Sequence, residues 1–197
     1  MSSSLAGTVR IRLTGRGGQG IMLAGAILAE AAMLDGRHVT ETQEYGPEAR
    51  LGATKAEVII ADAPIAFPEV GRADILVCLS RDGYLKYGTR VEPSALRLVD
   101  ETAVTEGAGE GLRCFPWRDR ARELGLEITM NLMALGTLQA VSGIVTADSL
   151  AMAVRERVKP AFLDMNLSAV AEGARLADAS GLGDEARSPA PGRARHG

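Results

Sequence analysis

The feature that most constrains this chain is the run Gly15-Arg16-Gly17-Gly18-Gln19-Gly20, because of what flanks it. Before it, Val9, Ile11 and Leu13 alternate with Arg10, Arg12 and Thr14, the period-two pattern of a strand with one better-buried face. After it, residues 21–34 are almost wholly apolar, broken by Glu30 and rich in helix formers, and Asp35-Gly36 supplies a stop. A strand, a glycine turn and a buried helix in succession are the opening of an α/β domain. The turn also sets backbone N–H groups at the positive end of a helix.

The rest of the chain continues the pattern. Strands are expected over residues 38–42, 55–61, 75–79, 96–99 and 112–115, the last ended by Pro116. The unbroken run Ile75-Leu76-Val77-Cys78-Leu79 suits a central strand covered on both faces. A short helix is expected around residues 82–87 and longer ones over 128–141, 146–158 and 160–177, with Thr146 as an N-cap and Pro160 as a first-turn residue. The expectation is a three-layer α/β/α fold with a mostly parallel, Rossmann-like sheet and C-terminal helices. With 197 residues it forms one domain, 1–179, and a disordered tail, 180–197, made of Gly, Asp, Arg, Ser, Pro and Ala without period.

Composition removes several function classes. Hydrophobic residues make up 46% and aromatic ones only 4%, so the core is aliphatic. A net charge of −3 gives no field for nucleic acid or an anionic membrane. Cys78 and Cys114 are two isolated thiols with no CxxC spacing, which argues against a zinc or iron–sulfur site held by this chain and suits a reducing cytoplasm. The N-terminus has no secretory pattern, and the apolar run 21–29 is too short for a bilayer.

Gly15, Gly17 and Gly20 satisfy G-x-G-x-x-G in form, and Glu41 lies about 20 residues on, where a ribose-binding acid is expected. A free-standing NAD(P)- or FAD-binding oxidoreductase is therefore one reading. The other is structural: the glycines let the loop turn sharply and pack against another chain. A second loop, 45–52, contains Gly46-Pro47 and is expected to be rigid. If the first two strands are parallel neighbours, both loops leave the same sheet edge, and Glu44, Tyr45, Gly46, Glu48 and Arg50 face Gly15, Gly17, Gly18, Gln19 and Gly20. The bland alternative is a local Glu48–Arg50 ion pair. Asn131, in an apolar helix, must find partners, and the ordinary one is a loop backbone. His38 and His196 have no partner pattern, and no nucleophile elbow, Walker loop or zinc-protease helix is present.

Taken in order, the glycine run, Tyr45-Gly46-Pro47-Glu48-Ala49-Arg50, Asp62-Ala63-Pro64-Ile65 with Pro68, Ala73-Asp74-Ile75-Leu76-Val77, and Asn131-Leu132-Met133-Ala134-Leu135-Gly136, with late Asn166 and Gly173, resemble the gamma subunit or domain of 2-oxoacid:ferredoxin oxidoreductases. The resemblance spans residues 9–177. One departure is Leu51, where the family's loop carries glycine. The resemblance implies a subunit, non-catalytic alone, of a complex that converts a 2-oxoacid and coenzyme A to acyl-CoA and carbon dioxide with electrons to ferredoxin. It implies a cytoplasmic hetero-oligomer with alpha, beta and in some cases delta subunits, nearer the 2-oxoglutarate type than the indolepyruvate type. Thiamine diphosphate, Mg2+, [4Fe–4S] clusters and coenzyme A belong to that complex and none to this chain alone. Its part would be assembly and the shaping of a coenzyme A or substrate entrance by the two loops and Asn131.

Overall fold

The computed structural model describes residues 7–44, 52–104 and 111–182. Six strands form one sheet: β1 (Thr8–Arg16), β2 (His38–Glu44), β3 (Ala53–Ala61), β4 (Ala73–Cys78), β5 (Val91–Asp100) and β6 (Leu112–Phe115). Their order is β2-β3-β1-β4-β5-β6. The β1–β4, β4–β5 and β5–β6 pairs are parallel, while β3 runs antiparallel to both of its neighbours, β1 and β2. The sheet is therefore mixed and mostly parallel, as expected. β1 and β2 are co-directional but are not neighbours: β3 lies between them.

The helices are α1 (Ile21–Leu34), α2 (Arg81–Tyr87), α3 (Trp117–Glu123), α4 (Met130–Ser142), α5 (Ala147–Arg157) and α6 (Leu163–Ala179). Ile21, Ile27 and Leu28 of α1 join Ile11 and Leu13 of β1, Val58 and Ile60 of β3, and the buried residues of α4 and α5 in the main core. Each fully buried Ile or Leu there contributes about 1.5–3 kcal/mol. Asp35, just past α1, accepts hydrogen bonds from Thr146 N (2.7 Å), Thr146 Oγ1 (2.8 Å) and Ser149 Oγ (2.5 Å). Thr146 Oγ1 accepts in turn from Ser149 N at 3.1 Å, so the expected N-cap of α5 is present and tied to the end of α1.

α4 and α6 pack backbone to backbone. A Cβ on Gly136 would overlap the Val170 carbonyl, and one on Gly173 the Met133 carbonyl. Thr137, beside this crossing, accepts from Trp117 Nε1 at 2.9 Å and donates to the Gly173 carbonyl at 2.8 Å. The chain's single tryptophan is thus fully buried with its N–H satisfied.

The other face of the sheet carries a smaller core of Ile59, Val70, Ala73, Leu76, Cys78, Val91, Val99 and Ala103. Here the alternation in β1 has an unexpected result. Arg12, on the face read as less buried, is 1% exposed. Its guanidinium donates to Glu57 Oε1 (2.7 Å), the Val70 carbonyl (2.6 Å) and the Arg90 carbonyl (2.6 Å). A buried cation is tolerable only with such a complete set of partners.

Candidate functional site

The glycine turn sits at the sheet edge where β1 and β4 end. β1 extends past the expected boundary: Gly15 and Arg16 still pair with Thr54 and Ala53. The turn begins after that, with Gly18 at φ 91° and Gly20, the N-cap of α1, at φ 71°. No side chain caps α1.

The interior of the turn is filled by its own glutamine. Gln19 Oε1 accepts from Arg16 N at 2.6 Å, and its amide Nε2 donates to the Leu79 carbonyl at 3.2 Å, joining the ends of β1 and β4. Gly15 makes room for this fold-back, since a Cβ there would stand 2.7 Å from Gln19 Oε1. Gly17 N donates to the Gly52 carbonyl (3.3 Å) and Gln19 N to the Arg16 carbonyl (3.1 Å). Three N–H groups of the glycine run, those of Arg16, Gly17 and Gln19, are therefore used within the protein rather than offered to a phosphate.

Asn131, at the start of α4 and 2% exposed, closes the turn from the other side. Its Nδ2 donates to the Gly20 carbonyl at 3.0 Å and its Oδ1 accepts from Leu132 N at 2.8 Å. Side-chain bonding to a loop backbone is the role expected for it. Gly20 needs to be glycine twice over, for its left-handed φ and because a Cβ would overlap the Asn131 amide. Arg16 reaches α2 through a 2.7 Å ion pair with Asp82, half-exposed and worth little by itself.

Glu44 ends β2 at the same edge. It pairs with Lys55 at 3.2 Å and accepts a long 3.5 Å hydrogen bond from the Tyr87 hydroxyl. Burial alone would raise its pKa, but the hydrogen bond and charge of Lys55, with Lys86 and Tyr87, hold it below the ordinary carboxylate value. Tyr45, Gly46, Glu48 and Arg50, like Leu51, lie outside the described residues. The near end of their loop is nonetheless placed, because Gly52 is bonded to Gly17.

The ribose-acid reading of Glu41 loses its premise. In a dinucleotide fold that acid ends the strand next to β1. Here β3 intervenes, which sets β2 about 10 Å from β1. The Glu41 carboxylate instead accepts from Gln43 Nε2 at 2.7 Å. Among the described residues no three His, Cys, Asp or Glu side chains converge as a metal site, and no helix is long and apolar enough to cross a membrane.

Sequence reasoning missed the cluster around Tyr87, which is 1% exposed. Arg12, Lys55, Lys86 and Arg90 all approach its ring within 5.1–6.0 Å of the centroid. The available signal was Lys55-Ala56-Glu57, whose charges alternate in phase with Arg10 and Arg12 once β1 and β3 pair.

Residues 10–176 match the family model for pyruvate ferredoxin/flavodoxin oxidoreductase. The chain is 43% identical over 173 residues to the 2-oxoglutarate synthase subunit KorC of Methanocaldococcus jannaschii, covering 85% of this chain and 92% of that one. Among solved structures, the gamma subunit of a keto/oxoacid ferredoxin oxidoreductase from Geobacter sulfurreducens PCA superposes with a TM-score of 0.79 at 36% identity, over 88% of this chain and 98% of that one. A 2-oxoglutarate:ferredoxin oxidoreductase from Magnetococcus marinus shares the fold, with a TM-score of 0.79 at 21% identity over 88% of this chain and 31% of the other.

Proposed function

Because the chain belongs to the pyruvate ferredoxin/flavodoxin oxidoreductase family, among the gamma subunits of 2-oxoacid:ferredoxin oxidoreductases, we propose that its complex oxidises 2-oxoglutarate. The balanced reaction takes a 2-oxoacid, coenzyme A and two oxidised ferredoxins to the acyl-CoA, carbon dioxide, a proton and two reduced ferredoxins. The observation that carries the substrate is the 43% identity to a KorC subunit over nearly the full length of both chains.

In this reading the chain makes no bond itself. Two cysteines cannot supply the four thiolates of a [4Fe–4S] cluster, and burial pushes the Cys78 thiol up to about 12. The residues present do not fit a cluster, so thiamine diphosphate, Mg2+ and the clusters are assigned to the alpha, beta and any delta subunits of a cytoplasmic assembly. The gamma chain offers a pre-set edge, Gly15, Gly17, Gly18, Gln19 and Gly20 latched by Asn131, with Glu44 at the same end of the sheet. Such an edge suits packing against a catalytic subunit and narrowing the path by which coenzyme A enters, and the same role is assigned to Tyr45, Gly46, Glu48 and Arg50, which follow Glu44 in the sequence.

The test is subunit omission. The complex is prepared with and without this chain and assayed for coenzyme A-dependent dye reduction with 2-oxoglutarate and with pyruvate. Activity that requires the chain and prefers 2-oxoglutarate supports the reading. Full turnover without it removes the proposed role, and a preference for pyruvate removes the substrate.

A further inference from the structure

The Tyr87 cluster is unbalanced in charge. Four cations surround one ring, and two of them are matched: Glu57 meets Arg12 at 2.6 Å and Lys55 at 3.1 Å, and Glu44 meets Lys55 at 3.2 Å. Among the described residues, no carboxylate lies within ion-pair distance of Lys86 or Arg90, and both are exposed. A chain of net charge −3 thus concentrates two exposed cations without an ion pair, Lys86 acting on Glu44 only at longer range, within about 6 Å of one buried aromatic ring.

Apolar surface is tied to the same framework. Phe67 and Leu85 are the most exposed large hydrophobic side chains among the described residues, at 84% and 70%. Leu85 precedes Lys86 on α2. Phe67 lies three residues before Val70, whose carbonyl shares the Arg12 guanidinium with the carbonyl of Arg90. One buried arginine therefore holds together the segment leading from Phe67 and the turn bearing Arg90. Leu85, adjacent to Lys86 in the chain, and Phe67, tethered three residues from the carbonyl that Arg12 holds, add exposed apolar area to a surface whose cations lack ion pairs, and such a surface is stabilised by being covered.

We propose that Lys86 and Arg90, with Leu85 and Phe67, form the docking face for a neighbouring subunit of the complex, one that presents at least two carboxylates beside an apolar pocket. This rests on the gamma-subunit reading and adds the face and the chemistry of its partner. Charge complementarity selects the occupant: carboxylates would neutralise Lys86 and Arg90, and the pocket would take up Leu85 or Phe67.

The chain has three lysines, Lys55, Lys86 and Lys159, so lysine chemistry reads the face directly. The native complex is treated with a water-soluble carbodiimide, which joins amines to carboxylates in contact, and the linked peptides are mapped by mass spectrometry. In parallel, acetylation of Lys86 is compared between the complex and the isolated chain. The proposal expects Lys86 linked to an Asp or Glu of another subunit. It also expects at least about tenfold slower acetylation on assembly, and a similar loss of co-purification in the Lys86→Glu/Arg90→Glu chain. The circular dichroism of that variant should match the parent, since both side chains are exposed. Equal acetylation in complex and isolated chain overturns the proposal. So does protection of Lys86 by inorganic pyrophosphate in the isolated chain without protection on assembly, which would make the patch a phosphate site. Failure of the gamma-subunit reading looks different, because the chain would then co-purify with no oxidoreductase subunits.

Discussion

Asn131 holds the glycine turn by its carbonyl: the amide nitrogen lies 3.0 Å from the oxygen of Gly20, 111 residues earlier in the chain. The start of α4 and the start of α1 are thereby one unit, with the turn fixed between them. Removing the amide leaves the buried Leu132 N–H without its side-chain acceptor and the Gly20 carbonyl with Ala24 N–H as its remaining donor. Asn131→Ala is expected to cost about 1–3 kcal/mol in chemical denaturation. Asn131→Asp is expected to cost at least as much, since it sets an acceptor against an acceptor. An unchanged unfolding midpoint in both variants would show that the turn holds itself.

Arg12 and Glu57 are expected to behave as a coupled pair. Arg12→Met leaves Glu57 buried without its main partner and should destabilise the fold by about 3–5 kcal/mol. Arg12→Met/Glu57→Leu should recover part of that loss, because both charges leave the interior together while the Val70 and Arg90 carbonyls stay without their donor. A double-mutant cycle by urea denaturation measures the coupling, and additive losses would contradict it.

Glu172 predicts an acid limb. Burial alone would raise its pKa, but hydrogen bonds from Arg175 and Arg120 outweigh this and hold it below the ordinary 4.5. A depressed carboxylate adds stability above its unfolded pKa and loses it as pH falls through the folded one. Thermal stability should therefore drop from about pH 4.5 downward, with a shallower drop in Glu172→Gln. Equal acid profiles in parent and variant would remove Glu172 from the account.

The two thiols should separate cleanly. Cys78 is buried on β4, its thiol pushed up to about 12 by burial, while Cys114 is exposed on β6. Burial and the nearby Glu101 and Asp100 also raise Cys114, so its alkylation should be slower than that of a free thiol. Iodoacetamide at pH 8 is expected to label Cys114 in the folded chain and both cysteines after denaturation. Labelling of Cys78 without unfolding would contradict the buried strand.

Much of the fold was legible in local pattern. α1 spans residues 21–34 as read, because an apolar run between a glycine turn and Asp35-Gly36 has one sensible solution. β6 and the Thr146 cap were equally local. α3 was not seen: Trp117–Glu123 is dominated by charge, only Trp117 and Ala121 are buried, and Pro116 reads as a strand terminator. Its start is stabilised from a distance, by Asp100 accepting from Arg118 N at 2.9 Å.

The sheet order was not legible either. Period-two patterning marks β3 as a strand but does not say that it inserts antiparallel between β1 and β2. That one fact undoes the dinucleotide spacing of Glu41 and buries Arg12 opposite Glu57. The glycine turn and Asn131 could be named from sequence because motif and helix context pointed at them. The Tyr87 cluster could not, since it is assembled from β1, β3, α2 and the turn after α2.

The central claim is that this chain works as a gamma subunit. The most direct measurement is purification of the tagged chain from its native cell, with mass identification of what accompanies it and an iron assay on the eluate. The account predicts co-elution with thiamine-binding and iron-rich oxidoreductase subunits in fixed ratio. A chain that elutes alone and free of iron would contradict it.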